Sequence, residues 1–123
     1  MSNNLTNPTS REMALNALRI DFRSTIRDRN YRLLVSVPGK PAPPQGYPVV
    51  YLIDGNLHFG ITVDTMRIQA CWPDVRDAVI VGIGYQTDLI SEALTLRMDD
   101  LTLPLSESMA NTPWFSKMPP AVN

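Results

Sequence analysis

Two continuous apolar runs constrain this chain more than any other feature. Val49-Val50-Tyr51-Leu52-Ile53 and Ala78-Val79-Ile80-Val81-Gly82-Ile83-Gly84 are rich in β-branched residues and carry no charge. Runs of this kind mark strands covered on both faces of a parallel sheet. Asp54-Gly55-Asn56 after the first run is turn chemistry. From Leu57 to Gln69, Phe59, Val63, Met66 and Ala70 fall near helical spacing, and Pro73-Asp74 punctuates the stretch. Strand, helix and strand over roughly 35 residues make a βαβ unit, so the expected fold class is α/β.

Upstream, Phe22 to Ile26 and Tyr31 to Val37 read as two strands joined by the polar turn Arg27-Asp28-Arg29-Asn30, an antiparallel hairpin. Tyr31, Leu33, Val35 and Val37 alternate with Arg32, Leu34 and Ser36, which points to the first set as the apolar face. The expected core is Val35, Val37, Val50, Leu52, Val79, Val81 and Ile83. Thr9-Ser10-Arg11-Glu12 has the form of a capping box and favours a short helix through Leu18. The same stretch could instead run extended into Ile20 and Phe22. Pro38 to Pro48 holds five prolines and two glycines, so it is expected to be a stiff surface loop. Asp88 to Leu96 is a candidate short helix. Beyond it, Pro104, Pro113, Pro119 and Pro120 predict an irregular tail over residues 105–123.

The 123 residues suffice for one small domain. They are 44% hydrophobic and 19% charged, which suits a chain with a core. A formal net charge of -1 argues against a nucleic-acid partner, which would call for a dense basic surface. No apolar stretch reaches the ~20 residues needed to span a bilayer, so no membrane role is expected. The polar start lacks a secretory h-region, and the expected location is the cytoplasm. Cys71 is the sole cysteine and His58 the sole histidine, which excludes an internal disulfide and a Cys/His zinc site. Cys71 beside Trp72 is expected to be a small buried apolar residue.

Taken in order, Tyr31-Arg32-Leu33-Leu34-Val35-Ser36-Val37-Pro38, Tyr47-Pro48-Val49-Val50-Tyr51-Leu52-Ile53-Asp54-Gly55-Asn56 and Val79-Ile80-Val81-Gly82-Ile83-Gly84-Tyr85 resemble the front of a known family. It is the esterase family of α/β-hydrolases that includes enterobactin-esterase-like and esterase-D-like members. The segment from Pro48 to Asn56 is the most specific piece, and the resemblance runs from about Asp21 to Pro104. Arg97 to Pro104 is similar to the stretch after the family's fourth strand, but Leu103 is an extra residue before Pro104.

The resemblance implies a partial α/β-hydrolase fold: an antiparallel first hairpin, then a βαβ unit in a mostly parallel sheet, as one truncated domain over 1–123. It implies ester hydrolysis by a serine nucleophile with a histidine base, without cofactor or metal, on a small-molecule ester. The nucleophile would sit in a Gly-x-Ser-x-Gly elbow after a fifth strand. No serine of this chain lies between glycines in that pattern, and the late histidine is missing. His58 just follows Val49 to Ile53, where a surface or helix-start role is expected. No catalytic residue is therefore assigned.

One component survives by resemblance. The backbone N–H groups of Gly55 and Asn56 occupy the oxyanion loop, where donors polarise a carbonyl only if a nucleophile attacks it. Equally, Gly55 could simply permit a tight turn before a helix. Arg97 would line the mouth of the site in the complete fold. Asp99-Asp100 is expected to be solvated surface charge. The leading expectation is the N-terminal part of a serine esterase, inactive alone. The alternatives are a non-catalytic binding or self-associating domain and an enzyme completed by a second chain. Because the run Val49 to Ile53 would be left as an edge, it also offers a route to self-association.

Overall fold

The computed structural model describes residues 9–13, 17–103, 106–113 and 117. They divide into two compact units at Gln86/Thr87, a boundary that falls inside the stretch expected as one domain. The first unit holds strands β1 (Thr9–Met13), β2 (Ala17–Ser24), β3 (Arg29–Ser36), β4 (Val49–Leu52) and β5 (Val79–Tyr85), with helix α1 (Gly55–Gln69) between β4 and β5. The second holds α2 (Ile90–Leu101) and the single turn α3 (Glu107–Ala110). The tail is thus not wholly irregular.

The five strands form one sheet in the order β1-β2-β3-β5-β4. β4 and β5 run parallel, joined through α1, while the other three pairings are antiparallel. The described sheet is mixed and mainly antiparallel, which corrects the expectation of a mostly parallel one. Only one helical crossover lies between described strands, and each parallel pairing needs one.

The short helix expected from Thr9 through Leu18 is also corrected. Thr9–Met13 is a strand whose register sets Thr9 against Asp21 and Met13 against Ala17. Helices this short are marginal in water, whereas pairing with β2 engages the same backbone groups. The hairpin between β2 and β3 is present, but its turn comes earlier than expected, over residues 25–28, with Asp28 at φ 51°. Arg23 closes that end on Asp28 at 2.7 Å.

α1 covers one face of the sheet. Phe59 and Val63, one helical turn apart, pack with Ala17, Leu34, Ala78 and Ile80, and Met66 joins them. Ile80 is 1% exposed and is the centre of this core. The buried positions of β3 are Arg32, Leu34 and Ser36, not Tyr31, Leu33, Val35 and Val37. Most of the expected core is therefore on the wrong face: Val35, Val79 and Val81 are half-buried and Ile83 is exposed on the side away from α1, and Val37 is exposed, while Val50 and Leu52, in register with Ile80 and Gly82, share the α1 face but are exposed and half-buried at its edge. Both faces of β3 and β5 carry apolar side chains, and α1 selects the one bearing Leu34 and Ile80. Arg32 tolerates that face because its guanidinium meets Asp21 through Nε–Oδ1 at 2.8 Å.

β4 has a single strand neighbour among the described residues, β5. Tyr51 is 71% and Ile53 59% exposed, so the strand expected to be covered on both faces is an exposed edge. Cys71 is exposed too, one residue past the C-cap Ala70, where its Sγ reaches the Arg67 carbonyl at 3.5 Å.

Candidate oxyanion loop

The turn from β4 into α1 is held from both sides. Asp54 adopts the left-handed conformation, φ 60° and ψ 40°, which redirects the chain within one residue. Its carbonyl accepts the N–H groups of Leu57 at 2.9 Å and His58 at 3.1 Å. The Gly55 and Asn56 N–H groups precede that first bonded turn, at the positive end of the helix dipole. Gly55 is buried against β5. A Cβ there would lie 2.8 Å from the Gly82 carbonyl carbon, closer than real side chains approach. Gly55 is thus required by close backbone packing, not by a positive φ.

Asn56 fastens the loop to the end of β5. Its Nδ2 donates to the Tyr85 carbonyl at 2.9 Å, and its Oδ1 accepts the Tyr85 N–H at 2.7 Å. A side chain on Gly84 would collide with the Asn56 amide, so the sequence Gly82-Ile83-Gly84 admits the loop on alternate residues of one face. On the opposite face, Tyr85 contacts Tyr31 with ring centroids 5.7 Å apart, and Tyr31 stacks on Phe22 at 5.9 Å. Gln86 Nε2 then donates to the carbonyls of Phe22 and Tyr31, each at 3.1 Å. The loop is in this way tied through Tyr85 to the β2–β3 hairpin.

The sequence pointed to Gly55 and Asn56 for their backbone groups. It missed the Asn56 side chain, although an amide after Asp-Gly is a signal of a side chain bonding to main chain. His58 lies exposed in the first turn of α1, the helix-start role expected of it. Arg97 is half-buried on α2 in the second unit, as is Asp100, while Asp99 is exposed. Among the described residues no cluster of His, Cys, Asp or Glu could hold a metal. No helix there is long and apolar enough to cross a membrane.

No family model matches the chain. Individual relatives do. It is 45% identical over 85 residues to the ferri-bacillibactin esterase BesA of Bacillus subtilis (strain 168), covering 66% of this chain and 28% of the relative. It is 38% identical over 87 residues to the apo-salmochelin esterase of Escherichia coli O6:H1, covering 71% and 26%. The matches lie in the N-terminal part of those proteins. The chain is similar to the N-terminal portion of enterobactin-esterase-like proteins. It spans less than a third of the length of the curated relatives it matches. Among solved structures it is similar to the BES protein from Bacillus cereus, with a TM-score of 0.59 and 31% identity over 70% of this chain and 34% of that one. The mixed sheet with its helices is accordingly a partial α/β fold of the kind seen in these esterases.

Proposed function

We propose that the chain supplies the acyl-oxygen-binding part of a serine esterase and does not turn over substrate alone. The observation that carries this reading is the Asp54-Gly55-Asn56 loop, fixed to β5 while the chain has no Gly-x-Ser-x-Gly. Backbone donors of Gly55 and Asn56 would receive the developing oxyanion. The nucleophile and base that create it would come from elsewhere, because covalent catalysis cannot proceed on oxyanion donors alone.

In this reading the units form one truncated α/β-hydrolase domain, Arg97 lines the site mouth, and the protein works in the cytoplasm without a metal or cofactor. The relatives' names support a small-molecule ester of the siderophore kind as the substrate of the completed fold. They do not favour a purely non-catalytic binding domain. The exposed β4 edge supports self-association through Val49 to Ile53, since no charge interrupts it. An assay with p-nitrophenyl esters tests the reading. The chain alone should give background rates, and adding a polypeptide that carries the Gly-x-Ser-x-Gly elbow and late histidine should raise them. Turnover by the chain alone would refute it.

A further inference from the structure

Helix α1 carries two apolar faces. Phe59, Val63 and Met66 turn toward the sheet and join the core. Leu57, Ile61, Ile68 and Trp72 lie on the opposite side, within an arc of about 60° at ~3.6 residues per turn. Trp72 stays in line because the turn after the helix continues the winding: the Cys71 and Trp72 N–H groups donate to the Ile68 and Gln69 carbonyls at 3.2 and 3.0 Å. Ile61, Ile68 and Trp72 are 68%, 66% and 64% exposed, and Leu57 is half-buried. One exposed isoleucine is ordinary on a protein surface, but a helix covered by a sheet on one side normally turns a polar face to water.

Spacing and charge select the partner. Leu57, Ile61, Ile68 and Trp72 stand four, seven and four residues apart, an order that reads the same from either end. An isologous contact about a two-fold axis needs that property. With two α1 helices antiparallel, Ile61 meets Ile68 of the second copy and Leu57 meets Trp72, while the axis passes between Asp64 and Thr65. Asp64 and Arg67 flank the stripe on one side near that axis. Their side chains are 59% and 58% exposed and pair within the helix at 3.5 Å. Across the axis the two copies would bring together two carboxylates and two guanidiniums with no net charge, each Asp64 shared between its own Arg67 and that of the second copy.

We propose that α1 pairs with α1 of a second copy of this chain through the Leu57, Ile61, Ile68 and Trp72 stripe. Such a contact removes roughly 1,000 Å² from water in all, at the low end for specific interfaces, so the dimer is weak and reversible. It shares no residue with the oxyanion loop or the β4 edge and does not rest on the esterase reading.

Analytical ultracentrifugation of the whole chain carrying Tyr51→Lys, which closes the β4 edge to pairing, tests the proposal. This chain should show a monomer–dimer equilibrium with dissociation in the micromolar range. Ile61→Lys and Ile68→Lys lie at exposed positions and count twice in a symmetric dimer. Each, added to Tyr51→Lys, should weaken dimerisation by about tenfold or more while the far-UV circular dichroism stays unchanged. In amide NMR of the same chain, dilution should move signals within residues 57–72, the Trp72 indole among them. A monomer at all concentrations, a dimer indifferent to both isoleucine variants, or dilution shifts centred outside residues 57–72 would overturn the proposal.

Discussion

The side-chain amide of Asn56 bonds both main-chain groups of Tyr85, donating to its carbonyl at 2.9 Å and accepting its N–H at 2.7 Å. One residue thereby joins the start of α1 to the end of β5 and fixes the loop that would face an oxyanion. Asn56→Ala removes both bonds and should cost about 1–3 kcal/mol. Urea unfolding would measure the loss, and hydrogen exchange should quicken at Tyr85 and in the first turn of α1. Unchanged exchange there would mean that the loop is held by something else.

Two glycines of α1 give opposite expectations. Gly55→Ala drives a methyl into the Gly82 backbone and should destabilise by about 1–3 kcal/mol. Gly60 has open space around the same atom, so Gly60→Ala should stabilise by about 0.5–1 kcal/mol through helix propensity. Thermal unfolding of the pair checks the packing: shifts of the same sign would contradict it.

Ile80 and Val81 test which face is the core. Ile80→Ala should cost about 2–5 kcal/mol. Val81→Ala, at a half-buried position on the opposite face of the same strand, should cost clearly less. Denaturant midpoints for the two variants give the comparison, and a larger loss at Val81 would reverse the assignment of faces.

Much of the unit was legible because its elements are locally strong. The run at 49–53, the helix after Asp-Gly-Asn and the run at 78–84 all have lengths and periods that single segments decide. The choice of face was not legible. β3 offers Leu33 and Val35 on one side and Leu34 on the other, and only the docking of α1 decides between them. Arg32 made its face look solvent-exposed, yet Asp21 on β2 pairs with it across the ladder. The capping box at Thr9 failed for a related reason, since its neighbour in space, β2, is a strand. The site was half legible: glycine after Asp54 announced the turn, but Asn56 meets a partner 29 residues away.

The bare edge of β4 carries its own expectation. Tyr51→Lys places a charge at the most exposed point of the strand, where like charges would face each other in a pairing of two copies. Light scattering behind size exclusion should show the parent associating more than the variant. A parent that stays monomeric at all concentrations removes the self-association part of the proposal.

The central claim is that the chain holds an oxyanion loop without a nucleophile. Treatment with a fluorophosphonate, followed by intact mass and p-nitrophenyl ester hydrolysis, tests it most directly. The account predicts an unchanged mass and no inhibitor-sensitive turnover. A stoichiometric adduct on one serine, with loss of measurable turnover, would contradict it.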